Sequence, residues 1–287
     1  DSGGDEGRAG GAVGFGEVDR STVLRAILAS LDENIYKTDW TRMAADRVTD
    51  IRERLGDGVE RTRGSLSLAV DFLVAIGIPS SRVLPYGLQL VVLSAFFDRE
   101  PSPSESQREV LERWFWVSSF SAWFGGANPS RIKNLLDEVR NDFAADRKAS
   151  GLMSFDLEAE SLPYPLNFDM RSARARTLLA VMLANDPKEG GESYREFAVR
   201  DLSANGPGSF GAVFSRLPKS CRGNPANRLL RPPGAGRGPL LAWIESRMAE
   251  GDVEALESCG ISVDAAQTAL RGDVLAFVAA RPASLVE

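Results

Sequence analysis

The stretch that decides the fold is Leu84-Pro-Tyr-Gly-Leu-Gln-Leu-Val-Val-Leu-Ser-Ala-Phe-Phe97, which is apolar on nearly every side of a helical wheel. A helix that is apolar all round is buried by other parts of its own protein. The apolar run Leu88–Phe97 is about half of the roughly 18 to 20 residues that a membrane crossing requires. The sequence therefore predicts a buried central helix, with Pro85 in the first turn, where helices tolerate proline.

Helical periodicity also dominates the segments on both sides of this stretch. Apolar residues recur every three or four positions, which is typical of amphipathic helices. The predicted ranges are 18–31, 40–55, 65–76, 104–124, 129–147, 169–184, 240–248, 253–257, 263–270 and 274–280. Strand patterns are almost lacking. The predicted fold class is all-α, a multi-helix bundle with an irregular Gly/Pro-rich basic segment near the C-terminal third.

Helix ends are predicted from capping residues. Asp19 or Ser21 begins the first helix, and Ser104 with a glutamine three residues later forms a capping box. The glycines Gly56 and Gly58 predict the end of the second helix, and Gly77 ends the third. For the helix at 169–184, we expect Asn167 or Asp169 to be the N-cap.

The composition of the chain predicts three regions. Residues 1–17 are rich in glycine, begin without methionine and read as a flexible tail or linker. Residues 18–150 form a helical domain. Residues 151–287 form a second helical subdomain, because Pro163 and Pro165 interrupt the helical pattern near its start. The missing methionine suggests that the chain is cut from something longer.

Several chemistries are excluded by residue counts. The 287 residues include no histidine, so a Ser-His-Asp or Cys-His catalyst and a His-ligated zinc cannot form. Cys221 and Cys259 are the only cysteines, too few for a disulfide framework, and indicate a reducing cytoplasm. We predict no catalytic residue, no metal and no cofactor, no membrane association and a cytoplasmic location.

The remaining catalytic patterns in the sequence are weak. A metal-dependent nuclease needs an acid-x-Lys triplet next to a further aspartate. Two such triplets occur. Asp146-Arg-Lys148 lies on a predicted helix and Asp186-Pro-Lys188 contains a proline at a predicted helix end, so we interpret both as accidental. No lysine follows a glycine, so the chain has no Walker A loop.

Charge is distributed unevenly along the chain. The net charge is −6, yet residues 202–244, called the basic segment below, contain no Asp or Glu. Such segregation can create a surface that attracts phosphates. The candidate nucleic-acid-binding residues are Arg216, Lys219, Arg222, Arg228, Arg231 and Arg237. A merely solvated face is the alternative reading.

A second group of arginines lies at the start of the helix at 169–184. Arg171, Arg174 and Arg176 oppose the helix dipole there and require either acidic partners, such as Asp169, or a bound anion. Another pattern, the aromatic run from Trp114 to Phe124, could stack on bases, but its helical spacing is more typical of a core.

Several segments together resemble a known family. These are the stretch 84–97, Arg113-Trp-Phe-Trp-Val-Ser-Ser-Phe-Ser, Asn167-Phe-Asp-Met-Arg-Ser-Ala-Arg-Ala-Arg-Thr-Leu-Leu, Asn224-Pro-Ala-Asn-Arg-Leu-Leu, and a closing Ile261-Ser-Val-Asp-Ala-Ala followed by Gly272-Asp, Phe277 and Arg281. In order and spacing, they are similar to the region that follows the nucleotide-handling domain in DUF262 proteins, relatives of the GmrSD modification-dependent restriction systems. The similarity covers about Val18 to Glu287.

This resemblance implies a helical region of a bacterial phage-defence protein, whose full-length relatives are NTP-dependent, modification-dependent endonucleases. The Asp-Gly-Gln-Gln-Arg motif of the family's ParB-like NTPase domain is not found here, and a His-Asn-His nuclease is excluded. No catalytic residue carries over. The expected partners are DNA, an N-terminal NTPase domain or a partner subunit. The alternative is a helical scaffold for oligomerisation or subunit docking without nucleic-acid contact.

Overall fold

The computed structural model describes residues 14–36, 48–146, 165 and 167–286. The chain divides into two compact units. Unit 1 comprises Asp1–Ala75 with Tyr86–Ser161, and unit 2 comprises Ile76–Pro85 with Leu162–Glu287. The described residues are mainly helical, and their sheets are two short antiparallel strand pairs. The prediction of an all-α, multi-helix fold is confirmed.

Unit 1 is built around the helix predicted from the stretch at 84–97. Its helices are α1 (Arg20–Ser30), α2 (Val48–Ala75), α3 (Gly87–Phe97), α4 (Glu105–Phe120), α5 (Trp123–Gly126) and α6 (Pro129–Glu138), followed by a π-helical turn (Val139–Phe143) and α7 (Ala144–Asp146). Helix α3 packs against α1, α2, α6 and the π-helical turn. Its residues 89–97 are all buried, as the apolar pattern predicts.

A buried amide joins α3 to α4. Gln89 is fully buried, and its Nε2 donates to Phe115 O at 3.1 Å, Ser118 Oγ at 2.9 Å and Ser119 Oγ at 2.8 Å. These bonds satisfy a polar group that would otherwise be costly to bury. The predicted capping box of α4 is confirmed, because Ser104 Oγ accepts from Gln107 N.

The prediction that Gly56 and Gly58 end the second helix is wrong. Helix α2 continues through both residues to Ala75. Gly58 instead lies against the Leu31 side chain, because a Cβ there would lie 2.7 Å from Leu31 Cδ2. Its carbonyl also accepts from Thr62 Oγ1 of the same helix and from Ser30 Oγ of α1, so one hydrogen bond joins α2 to α1 there.

Three other predicted boundaries shift. Helix α3 begins at Gly87, so Pro85 precedes the N-cap Tyr86 rather than lying in the first turn. Helix α4 ends at Phe120, because Ala122 adopts a left-handed conformation with φ 51°. The N-cap of the helix predicted at 169–184 is Ser172, whose side chain accepts from Ala175 N, rather than Asn167 or Asp169.

The aromatic run is largely a core feature, as its spacing predicts. Trp114, Phe115 and Phe124 are buried, whereas Trp116 and Trp123 are half-buried. Phe120 is exposed at the end of α4.

Unit 2 contains short helices and two small hairpins. The elements are α8 (Ala173–Ala184), β1 (Lys188–Glu189), β2 (Glu192–Ser193), α9 (Arg195–Asn205), β3 (Phe210–Ala212), β4 (Arg228–Leu230), α10 (Leu241–Glu250), α11 (Val253–Ser258), α12 (Val263–Leu270) and α13 (Val274–Val286). Helix α13 packs against α12, α8 and the 3-10 turn Pro225–Asn227. The segment 202–244, predicted to be irregular, thus contains a regular element, the antiparallel pair of β3 and β4.

Among the described residues, no helix is both long and apolar enough to span a membrane. The predicted tail at 1–17 lies outside these residues except for Gly14–Glu17, and the second predicted helix lies outside them before Val48.

Candidate nucleic-acid interface

The basic segment folds around a short antiparallel ladder. Strands β3 and β4 pair Phe210 with Leu230 and Ala212 with Arg228. The ladder is extended by one side chain, because Asn227 Oδ1 accepts from Phe214 N at 2.8 Å and its Nδ2 donates to Phe214 O at 3.0 Å. This amide therefore replaces a backbone pair and fixes the connection between residues 213 and 227, which carries three of the predicted basic residues.

Most of the predicted basic side chains reach the surface. Arg216, Lys219, Arg222 and Arg237 are exposed, and Arg228 and Arg231 are half-buried. Across residues 167–282, none of the six forms an ion pair with a carboxylate, whereas other cations of unit 2 do. Examples are Lys188 with Glu254 at 2.6 Å and Arg247 with Asp252 at 3.3 Å. Within the described part of unit 2, no carboxylate neutralises these six positive charges.

Two of the six side chains also support the local structure. Arg231 Nη1 donates to the carbonyls of Gly236 and Gly238, which closes the loop that follows β4. The Arg228 guanidinium lies over the Phe168 ring, 5.6 Å from its centroid, within the range of a cation–π contact. Substitution of either residue would therefore change the structure as well as the charge.

The three arginines of the second predicted group, at 171–176, make different contacts. Arg171 is exposed and forms a two-pronged ion pair with Asp169, at 3.1 Å on both nitrogens. Arg176 donates to the carbonyls of Met170, Leu84 and Arg171. Arg174 is exposed and has no ion pair within the described part of unit 2. Of the two expected partners for the arginines at this helix start, an acidic side chain or a bound anion, Arg171 therefore has the acidic side chain of Asp169.

The structure brings residues 167–171 next to the basic segment. Phe168 N donates to Gly223 O at 2.7 Å, and the Phe168 ring packs against Phe210 at 5.1 Å between centroids. Arg222 is adjacent to Gly223 in the chain, so two stretches that are separate in sequence meet here. No local pattern predicts this contact.

A buried polar cluster lies behind the β3–β4 ladder, and sequence reasoning gave it no role. It consists of Arg281 on α13, Cys259 after α11, and Tyr194 before α9. All three side chains are buried. Tyr194 Oη lies 3.2 Å from Cys259 Sγ and 3.3 Å from Leu230 O. The sequence does contain one sign of a buried arginine: Arg281 follows Phe277 by four positions and so lies on the apolar side of the same helix.

This cluster predicts that unit 2 loses stability at alkaline pH. Burial raises the pKa of the Cys259 thiol, and burial together with the neighbouring Cys259 raises the pKa of Tyr194. The unfolded chain therefore loses these protons first. The contribution of these groups to the free energy of unfolding is fully present below about pH 8.5, and it falls as pH rises above about 8.5 and about 10, the ordinary pKa values of cysteine and tyrosine, toward the raised values of the folded protein. We expect the urea midpoint, followed by tryptophan fluorescence to which Trp243 contributes from unit 2, to fall as pH rises above about 8.5.

The control for this prediction is the double variant Cys259→Ala/Tyr194→Phe, which has neither titrating group. Its urea midpoint should vary less with alkaline pH than that of the unmodified protein. An identical pH dependence in both proteins would show that the cluster is not responsible.

Candidate catalytic groups are few in the described residues. In the triplet Asp186-Pro-Lys188, Asp186 accepts from Ser193 Oγ and lies 3.4 Å from Arg195 Nε. Lys188 forms an ion pair with Glu254, so both charged residues of the triplet already have partners near β1 and β2. The side chains of Asp146 and Lys148 lie outside the described residues. Within the described residues, no group of three or more Cys, Asp or Glu side chains is arranged to hold a metal ion.

Comparison of the chain with protein-family models, curated proteins and solved structures finds no match.

Proposed function

We propose that this chain is a non-catalytic helical domain of a DUF262/GmrSD-like bacterial defence protein, whose basic segment binds nucleic-acid phosphates. In this role it couples an NTPase domain outside the chain to DNA or to a partner subunit. The observation that carries the nucleic-acid part is the set of six basic side chains that form no ion pair with any carboxylate of the described residues, on a chain whose net charge is −6.

Unpaired surface cations on irregular backbone suit phosphate contacts. Arginine and lysine side chains that neutralise phosphates release condensed counterions, and this release supplies much of the affinity. A cation that is already paired with a carboxylate gains less binding free energy from a phosphate, because its existing ion pair must first be broken. The basic segment therefore favours backbone contacts that are independent of base sequence.

The test removes four exposed charges whose side chains form no hydrogen bond or ion pair with the described residues: Arg216→Ala, Lys219→Ala, Arg222→Ala and Arg237→Ala in one variant. Binding to a fluorescent DNA duplex is measured by anisotropy at several salt concentrations. If all four side chains contact phosphates, the slope of log affinity against log salt should become shallower by about 3.6, at about 0.9 per contact. The loss should be similar for duplexes of different sequence.

A matched control removes four exposed arginines from unit 1, namely Arg20→Ala, Arg63→Ala, Arg108→Ala and Arg113→Ala, with the same change in net charge. Its salt slope should stay close to that of the unmodified protein. Equal losses in both variants would indicate a general charge effect, and no loss in the first would exclude the basic segment as the interface.

The alternative function, a scaffold without nucleic-acid contact, predicts a different outcome. The unmodified protein would then form a defined oligomer in size-exclusion chromatography with light scattering and would fail to bind DNA even at low salt. The family part of the proposal is tested separately. An Asp-Gly-Gln-Gln-Arg motif in the reading frame upstream of Asp1 would support it, and an upstream frame that lacks such a domain would contradict it.

A further inference from the structure

Arg281 is a fully buried arginine that is bound to backbone carbonyls from two distant stretches of unit 2. Its Nη1 donates to Ala226 O at 2.6 Å and to Arg228 O, its Nη2 to Cys259 O at 3.1 Å, and its Nε to Gly260 O at 3.3 Å. Ala226 and Arg228 belong to the basic segment. Helix α13 therefore reaches the inner side of the candidate interface through one side chain.

The guanidinium fits this position for a physical reason. It is planar, stays charged, and has five N–H donors in a fixed arrangement, so it can hold several carbonyls at set distances. Burying such a charge is costly unless it is fully hydrogen-bonded, which makes alternative positions of these carbonyls unfavourable. Tyr194 Oη adds a contact to Leu230 O at 3.3 Å, at the other end of β4.

We infer that Arg281 is a positioning residue for the nucleic-acid interface, an inference that rests on the function proposed above. By fixing the backbone from Ala226 to Leu230, it sets the strand register in which Leu229 and Leu230 are buried and the Arg228 side chain lies over Phe168. The same backbone leads through the turn Pro225–Asn227 to Arg222. Arg281 itself is buried and does not touch the nucleic acid.

The test is Arg281→Lys, which keeps the charge but loses the planar set of donors. DNA affinity is measured by anisotropy across a salt series. We expect weaker binding and a salt slope shallower by about 0.9 to 1.8, the equivalent of one or two phosphate contacts. Backbone amides of Arg228–Leu230 should exchange hydrogen faster than in the unmodified protein. The matched control is Arg271→Lys, at an exposed arginine of unit 2.

A merely structural role would give a different result. If Arg281 only stabilised unit 2, Arg281→Lys would lower the fraction of binding-competent protein in a stoichiometric titration, but the competent fraction would keep the original salt slope. That result overturns the inference. Should Arg281→Lys fail to fold, Tyr194→Phe removes the neighbouring contact to Leu230 O and should shift the slope in the same direction; an unchanged slope there overturns the inference too.

The inference and the proposed function fail in distinguishable ways. If the unmodified protein binds DNA and Arg281→Lys binds with the same affinity and slope, the positioning role is wrong and the proposed interface stands. If the unmodified protein does not bind DNA at any salt concentration, the proposed function and the positioning role are both wrong.

Discussion

Replacing Gly77 by alanine is expected to lower the free energy of unfolding of unit 2 by about 3 kcal/mol. Gly77 has φ +90°, a left-handed backbone conformation that costs residues with a Cβ about 1 to 2 kcal/mol. The new Cβ would also lie 2.6 Å from Ala184 Cβ and 2.7 Å from Ala184 Cα. Because the second of these atoms is backbone of α8, a side-chain rotation cannot relieve the clash. Urea unfolding followed by tryptophan fluorescence, to which Trp243 contributes from unit 2, measures the loss.

The matched control is Gly272→Ala. Gly272 has φ +75° but no atom within 4 Å of the position that a Cβ would take, so it reports the backbone cost alone. We expect a loss of about 1 kcal/mol there, and the difference between the two variants is the price of the contact with Ala184. Equal losses would show that Gly77 is required only for its conformation.

Replacing Arg140 by methionine is expected to destabilise unit 1 by about 3 kcal/mol. Arg140 is buried in the π-helical turn, where its Nη1 donates to Ala29 O at 2.7 Å and its Nε to Leu136 O at 3.1 Å. Each hydrogen bond from a charged group contributes about 1.5 to 3 kcal/mol, and its loss leaves a buried carbonyl without this donor. The Ala29 carbonyl belongs to the last turn of α1, where a cation is also favoured by the helix dipole.

The ion pairs of Arg140 contribute less than these two hydrogen bonds. Its partners Asp32 and Asp137 have side chains that are 55% and 41% exposed, so both carboxylates stay hydrated when the arginine is removed. Lys133→Met is the control, because Lys133 pairs with the same Asp137 at 3.8 Å from an exposed position. It should cost at most about 1 kcal/mol. Comparable losses in chemical denaturation would assign the effect to Asp137 instead.

Much of the helical architecture could be predicted from short-range patterns. The burial of residues 89–97 follows from a run with no polar face, and the start of α4 follows from Ser104 and Gln107, which bond within one turn. The position of Asp19 before α1 is a further example, since its side chain accepts from Ser21 N. These features depend on residues at most a few positions apart, which a single sequence displays directly.

The charge of the candidate interface could be predicted from the sequence, but the contacts among its residues could not. The charge of the basic segment follows from the lack of Asp and Glu at 202–244, and Asp169 was among the partners expected for the arginines at 171–176. The pairing of Phe168 with Gly223 and the structural use of Arg176 and Arg231 could not be predicted, because their partners are carbonyl groups that every residue has.

The sequence by itself determined the helical class, the central apolar helix and the segregation of charge, because each is a property of neighbouring residues. Only the tertiary structure decided that Gly58 lies within a helix, that Gly77 lies against Ala184, and that Arg281 holds Ala226, 55 positions earlier in the chain. In each case, the deciding contact joins residues far apart in sequence, and its free energy depends on what surrounds the residue after folding.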